Sequence, residues 1–112
     1  MVSVRRSDAG MGAEVSGVDL SWPLSDRVFG EVRDSLHRCH VLVFRAQSLE
    51  PENFLEFANL FGKPEPHLLD QFHHPEYTDI LVLSNVKKDG KPIGLADGGT
   101  YWHTDYSYLE IP

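Results

Sequence analysis

The chain has 112 residues, of which 41% are hydrophobic and 24% are charged, and these values are typical of one small globular domain and argue against a disordered chain. Its formal net charge of −7 argues against nucleic acid or an anionic membrane as the partner and favours a small molecule. A lone cysteine, Cys39, excludes an internal disulfide, and no signal peptide or membrane-spanning run is evident, so we expect a cytoplasmic protein.

The first part of the chain predicts a strand followed by a helix. Residues 12–20 alternate between apolar and polar side chains between glycines, which is typical of a strand and a turn. Ser25 is a plausible helix N-cap. Apolar residues then recur at helical spacing, which predicts an amphipathic helix through Val28, Val32, Leu36 and Cys39.

A second strand and a second helix follow. Residues 41–44 form a continuous apolar run, typical of a strand that is buried on both faces. Pro51 suits the first position of a helix, and Gly62 and Pro64 suit its end. The pattern between them predicts a buried helix face made of Phe54, Phe57, Ala58 and Phe61.

The last part of the chain predicts more strand than helix. Residues 64–78 are rich in Pro, His and Asp and are predicted to be irregular, whereas residues 80–86 are predicted to form a buried strand. Residues 87–91 are predicted to form a polar turn. A glycine-containing loop over residues 94–100 leads to an extended segment at 101–105 and then to an aromatic run with strand-like spacing at Tyr106, Tyr108 and Ile111.

The pair His103 and Asp105 carries the clearest chemical signal. Residues two apart on an extended segment direct their side chains to the same face. An imidazole and a carboxylate that point the same way are two of the three ligands in the two-His-one-carboxylate site of non-haem Fe(II) oxygenases. A hydrogen-bonded surface pair is the alternative interpretation of the same two residues.

Three segments in order resemble the taurine/dichlorophenoxyacetate dioxygenase (TauD/TfdA) family. They are GAEVSGVDLSWPLSD at residues 12–26, VLVFRAQSLEPENFLEFANLFG at 41–62 and WHTD at 102–105. The resemblance implies an α+β fold in which residues 1–112 are the N-terminal part of one dioxygenase domain. That part would hold an incomplete double-stranded β-helix (jelly roll) with flanking N-terminal helices.

The resemblance also implies a function. His103 and Asp105 would bind Fe(II), while a further histidine and an arginine that grips 2-oxoglutarate would lie beyond residue 112. The enzyme would hydroxylate a small, anionic organic substrate with O2 and release succinate and CO2. Two alternatives stay open: a truncated, inactive remnant, or a fragment of the fold that binds a small molecule without redox chemistry. The exposed strand edge of an incomplete barrel would favour a homo-oligomer.

Three further residues are candidates for substrate binding. His67 follows the end of the second helix at the interval at which taurine-type enzymes place a histidine that contacts substrate, although an exposed loop histidine fits the pattern equally well. Asn85 closes an apolar strand and would face the pocket or else satisfy backbone groups. Tyr101, together with Trp102, would wall the iron site, or would simply pack in the core.

Overall fold

The computed structural model describes residues 1–111 and shows two compact units, Met1–Glu65 and a second unit that begins at Pro66. The first unit contains β1 (Ser3–Arg6), β2 (Ala13–Ser16), α1 (Asp26–Cys39), β3 (Leu42–Phe44) and α2 (Pro51–Asn59). The second contains a 3₁₀ turn (Asp70–Phe72) and the short strands β4 (Lys87–Lys88) and β5 (Lys91–Pro92). That all 112 residues belong to a single domain stays a prediction.

Strand β2 lies at the centre of a three-stranded sheet with the order β1-β2-β3. It pairs antiparallel with β1, and Val15 lies opposite Val4. It pairs parallel with β3, and Val15 also lies opposite Phe44. Parallel pairing requires a crossover between the two strands, and α1 lies in that connection.

The core of the first unit lies between β2 and α1. Ala13 and Val15 alternate along β2 and are each 3% exposed, while Val32 on α1 is fully buried. Ser35 is also buried, and its hydroxyl donates a hydrogen bond to the Glu31 carbonyl oxygen at 2.7 Å. This bond satisfies the hydroxyl inside the helix, so the polar side chain is buried without an unmet hydrogen bond.

Helix α1 begins and ends where the sequence predicts. The Ser25 hydroxyl accepts a hydrogen bond from the Val28 N–H at 3.4 Å, which confirms the predicted N-cap. At the other end His40 has a φ of 67°, and its N–H donates to the Leu36 carbonyl at 2.7 Å. A left-handed residue at this position stops the helix and directs the chain into β3.

The prediction that β3 is buried on both faces is wrong. Leu42 and Phe44 are half-buried, but Val41 and Val43, which point the other way, are 46% and 40% exposed. Helix α1 packs against β2 and β3, and among the described residues of this unit the opposite face of β3 stays open. The apolar run therefore formed a strand, as predicted, with cover on one side only.

Helix α2 starts at Pro51, as predicted, but its apolar face is less buried than predicted. Edge-to-face ring contacts join Phe61 to Phe29 at 5.1 Å and to Phe57 at 5.3 Å between ring centroids. Even so, Phe54 and Phe61 are 49% and 44% exposed, and no residue of the helix is buried. The rings contact one another, but their outer edges face solvent.

The predicted strand at residues 80–86 is not formed. Only isolated bridges occur there, between His73 and Leu81 and between Leu83 and Leu95. The backbone hydrogen bonds of this segment go to different partners. The Val82 N–H donates to the Phe72 carbonyl, whereas the Ser84 N–H donates to the Leu95 carbonyl. Since no single neighbour runs alongside it, no continuous ladder forms, and Leu83 is 68% exposed.

The polar turn at residues 87–91 is confirmed as a two-residue hairpin loop between β4 and β5. Asp89 and Gly90 have φ angles of 50° and 76°, and a loop with two positive φ values matches the twist of a hairpin.

The extended segment predicted at 101–105 is wrong, because the chain bends at 101–102 and turns from Asp105. The strand-like run at 106–111 is also wrong: Tyr106 has a φ of 53° and closes a turn with Leu109.

No helix among the described residues is long and apolar enough to cross a membrane. The mixture of helices and strands agrees with the predicted α+β class, whereas the incomplete jelly roll stays a prediction.

An ion-pair cluster on the sheet links β1, β2 and the segment after β3. The Glu14 carboxylate accepts hydrogen bonds from Arg45 Nε at 3.0 Å and from an Arg5 guanidinium nitrogen at 3.3 Å. Its pKa is lowered from the ordinary value of 4.5, first by the hydrogen bond from Arg45, with burial acting in the opposite direction. The cluster therefore favours the folded state only while Glu14 is ionised.

We expect the Glu14→Gln variant to lose part of the acid sensitivity of folding. A folded-state pKa below 4.5 means that the stabilisation is present above pH 4.5 and disappears as pH falls through the lower, folded-state value. Urea unfolding should show a larger stability difference between native chain and variant at pH 7 than at pH 3. Glu31→Gln, which removes a helix-surface pair with Arg27, is the control. An equal difference at both pH values would contradict this role of Glu14.

Candidate metal centre

His103 and Asp105 meet at the tip of the loop although the loop is not extended. The His103 Nε2 lies 3.1 Å from the Asp105 Oδ1. In a strand, the two side chains would project from the same face. Here the turn that begins at Asp105 brings its carboxylate back to the imidazole ring. The sequence prediction that these two groups point to one place is confirmed, but by a turn and not by strand alternation.

The other ring nitrogen of His103 has its own partner. His103 Nδ1 lies 2.7 Å from the Tyr101 carbonyl oxygen, and a carbonyl can only accept, so Nδ1 carries the proton. In the neutral ring Nε2 then has a free lone pair directed toward Asp105. Metal-binding histidines are commonly oriented in this way, by a backbone carbonyl on the nitrogen that does not bind the metal.

Protonation of His103 is favoured in the metal-free loop. Its pKa is raised from 6.5, first by the hydrogen bond to the Tyr101 carbonyl and then by the negative charge of Asp105, while partial desolvation acts in the opposite direction. The charged imidazolium donates from both nitrogens, which suits the carbonyl on one side and the carboxylate on the other. A metal cation between Nε2 and Oδ1 would replace this second proton and would contact both atoms.

Gly99 lies directly against the imidazole. Its φ is +73°, and a Cβ atom added at Gly99 would lie 2.9 Å from His103 Cε1 and 3.4 Å from Nε2. The sequence pattern predicts only a loop at Gly99. The signal available in the sequence was a glycine pair shortly before the H-x-D motif, but the contact itself depends on the bend at residues 101–102.

The three predicted substrate-binding residues differ in their placement. The ring of His67 lies 5.7 Å from the ring of Tyr106, the residue after Asp105, so the loop around His67 approaches the metal-ligand loop. His67 Nδ1 accepts the Leu69 N–H at 3.1 Å, which leaves Nε2 to carry the proton of the neutral ring. Asn85 is exposed and is not brought to the pair by any contact that the structure describes.

The aromatic residues before His103 are exposed and do not pack in a core. Trp102 is fully exposed, and Tyr101 is 76% exposed, with its ring 5.8 Å from the imidazole of His103. They border an open hollow of about 480 Å³ next to Gly99 and Thr100. The predicted core packing of both side chains is therefore wrong, and their role at the metal ion stays a prediction.

The donor atoms fit a divalent metal of the iron type in kind but not in number. Nitrogen and oxygen donors that converge within 3.1 Å are two members of the two-His-one-carboxylate class of site. Within residues 1–111, no group of three or more His, Cys, Asp or Glu side chains is placed to hold a metal ion. The loop thus offers two of the three donors that such a site would require.

Comparison with known proteins shows the family. The family model described as "Taurine catabolism dioxygenase TauD, TfdA family" matches residues 3–112. The chain therefore belongs to the TauD/TfdA family, whose members include α-ketoglutarate-dependent dioxygenases. This finding confirms the family resemblance of the three sequence segments.

Curated relatives are about three times as long as the chain. It is 35% identical to pentalenolactone F synthase of Streptomyces arenae over 102 residues, which cover 89% of the chain and 34% of that protein. It is 30% identical to the α-ketoglutarate-dependent 2,4-dichlorophenoxyacetate dioxygenase of Burkholderia sp. (strain RASC), covering 87% of the chain and 36% of that protein. The chain spans about a third of the length of these relatives and matches their N-terminal part.

Solved structures of dioxygenases also match the fold of the chain. A putative α-ketoglutarate-dependent taurine dioxygenase from Burkholderia xenovorans matches with a TM-score of 0.70 and 28% identity over 79% of the chain and 32% of that structure. The structure of AAD-2 in complex with Mn(II) and N-oxalylglycine matches with a TM-score of 0.56 and 32% identity, over 58% of the chain and 24% of that structure.

The geometry of the pair predicts how the His103 pKa responds to substitution. Asp105→Asn keeps the shape of the side chain and removes its charge, so the pKa of His103 should fall. It should not fall all the way to 6.5, because the Tyr101 carbonyl is the larger cause of the shift. Proton NMR titration of the His103 ring in metal-free protein measures both values. The exposed Asp97→Asn is the control, and an unchanged His103 pKa in Asp105→Asn would refute the pairing.

Proposed function

We propose that this chain carries the His103 and Asp105 ligands of the Fe(II) site of a 2-oxoglutarate-dependent dioxygenase that hydroxylates a small, anionic organic substrate. The observation that carries the proposal is the convergence of Nε2 and Oδ1 at 3.1 Å while the carbonyl of Tyr101 holds Nδ1. The membership of the chain in the TauD/TfdA family supports it.

Two relatives support the choice of metal and co-substrate. One curated relative is named as an α-ketoglutarate-dependent dioxygenase, and one solved relative was crystallised with Mn(II) and N-oxalylglycine. Mn(II) and Fe(II) are neighbouring divalent ions that accept the same nitrogen and oxygen ligands. We therefore propose Fe(II) as the metal, 2-oxoglutarate as the co-substrate and O2 as the oxidant, with the third ligand and the 2-oxoglutarate arginine outside residues 1–112.

The residues of the chain would each do a simple task. Bound Fe(II) would supply the redox chemistry that couples decarboxylation of 2-oxoglutarate to succinate and CO2 with hydroxylation of the substrate. Asp105 would offset part of the charge of the metal, and in the neutral ring the Tyr101 carbonyl would hold the one remaining proton on Nδ1 and so leave Nε2 for the metal. Binding of the metal requires His103 to be neutral, so the second proton must leave first.

His67 is the proposed substrate contact with the most support. Its Nδ1 is engaged by the Leu69 N–H, so the proton on Nε2 is available for an anionic group. The ring contact with Tyr106 places His67 near the ligand loop. Asn85 and Tyr101 are exposed and stay proposals on the resemblance alone.

A second function is favoured by one observation. The described residues provide two metal ligands and no third, which by itself gives weak and unselective binding. The chain would then act as an inactive remnant or as a small-molecule-binding fragment, and the free edges of β1 and β3 would let it pair with another copy as a homo-oligomer. The cytoplasmic location stays a prediction.

Anaerobic addition of Fe(II) and 2-oxoglutarate to the purified chain tests the first function. We expect the visible charge-transfer band of the iron chelate, and we expect His103→Ala and Asp105→Ala each to abolish it, because each removes one of the two ligands. Their loss of affinity should exceed the roughly 10- to 100-fold expected when only a supporting partner of a ligand is removed.

His74→Ala is the matched control, because His74 is a loop histidine of the same unit whose Nδ1 accepts the Glu76 N–H. Its band should equal that of the native chain. A folded native chain that shows neither the band nor binding of Mn(II) would exclude the first function and favour the remnant. A band that survives both ligand substitutions would place the metal elsewhere.

A further inference from the structure

Besides the carboxylate of Asp105, the imidazole of His103 has two backbone neighbours. On one side Nδ1 donates to the Tyr101 carbonyl at 2.7 Å. On the opposite side the Cε1–Nε2 edge faces Gly99, where an added Cβ would lie only 2.9 Å from Cε1. Real Cβ atoms essentially never approach a neighbour so closely, so any side chain at Gly99 requires a shift.

The ring is the part that would give way. The His103 side chain is 39% exposed, so it has open space to move into, whereas Gly99 is fixed in the backbone of a turn. A steric clash with the Cε1–Nε2 edge would rotate the imidazole ring and move Nε2 away from its present position. The 3.1 Å approach of Nε2 to the Asp105 carboxylate would then be lost.

We propose that Gly99 is a positioning residue for the metal ligand His103: the absence of a side chain at Gly99 lets the imidazole lie against the backbone with Nε2 directed at Asp105. The part that concerns metal binding rests on the proposed function. The part that concerns the ring does not, because both contacts are present in the metal-free protein.

Gly90 provides a matched control in the same unit. Its φ of +76° is close to the +73° of Gly99, so alanine at either position meets the same backbone strain. An added Cβ at Gly90 has no atom within 4 Å, whereas at Gly99 it meets the imidazole. The difference between Gly99→Ala and Gly90→Ala therefore isolates the contact with His103 from the cost of the left-handed backbone.

The first measurement is NMR of the metal-free chain. In the native protein, at a pH high enough for the ring to be neutral, we expect a nuclear Overhauser contact between the His103 Hε1 and a Gly99 Hα, together with nitrogen shifts that show the proton on Nδ1. Gly90→Ala should keep the Nδ1–H tautomer and the contact. Gly99→Ala should lose the Nδ1–H tautomer, and a His103 ring that stays unchanged in that variant overturns the proposal.

The second measurement is titration of the same proteins with Mn(II), followed by electron paramagnetic resonance. Gly99→Ala should weaken binding by roughly 10- to 100-fold, the range for residues that orient a ligand. Gly90→Ala should bind as the native chain does. In the His103→Ala background, Gly99→Ala should have no further effect, because the residue acts through the imidazole. If the native chain binds Mn(II), equal affinities for Gly99→Ala and Gly90→Ala overturn the proposal.

The outcomes separate this proposal from the proposed function. If the native chain does not bind Mn(II) but Gly99→Ala alone shifts the His103 ring, the metal site fails and the positioning role stands.

If Gly99→Ala does not fold, Gly99→Asn replaces it, since asparagine tolerates positive φ and still adds the Cβ. An unshifted His103 ring in a folded Gly99→Asn variant then overturns the proposal in the same way.

Discussion

Strand β2 pairs with β1 along one edge and with β3 along the other, so the packing of the first unit depends on it. Its alternate residues Ala13 and Val15 supply the sheet side of the core, and Val32 supplies the helix side. The Glu14 carboxylate, on the other face of the same strand, holds Arg5 and Arg45. One short strand thus carries both the apolar core and the principal ion-pair cluster of this unit.

The candidate metal centre depends on constraints of a different kind, because all its contacts lie within residues 99–105. A backbone carbonyl, a glycine and a turn fix the imidazole of His103 and bring the carboxylate of Asp105 to it. No long-range contact is needed to form the pair. A site built in this way can place two ligands locally, but it requires other parts of a protein to enclose the metal and to exclude water.

The chemistry of the donors is consistent with the family relation. Cys39 is buried in the core of the first unit, so the available donors at the loop are nitrogen and oxygen. Such donors suit iron and manganese better than the softer metals that thiolates select. His67, whose ring contacts Tyr106, adds a hydrogen-bond donor near the loop.

The sequence by itself determined the family, both limits of α1, the start of α2 and the identity of the two metal-ligand candidates. The end of α2 was predicted at Gly62, whereas the helix ends at Asn59. Capping by Ser25, the proline at the start of α2 and the H-x-D spacing are local features, and local features can be read from neighbouring residues. The tertiary structure alone decided burial. The apolar runs at residues 41–44 and 80–86 look alike in sequence, yet one found a partner strand in β2, and the other found only scattered bridges.

The same difference between local sequence features and tertiary structure explains the conformation of the loop at residues 101–105. Alternation predicted that His103 and Asp105 share a face, and they do meet, but through a turn, because residues 101–105 have no neighbouring strand to keep them extended. The contact between Gly99 and the imidazole depends on that bend, so no pattern of residue types predicts it. Which residues can bind a metal follows from their chemistry and spacing, whereas how they are held follows from the local path of the backbone, which residue types alone do not fix.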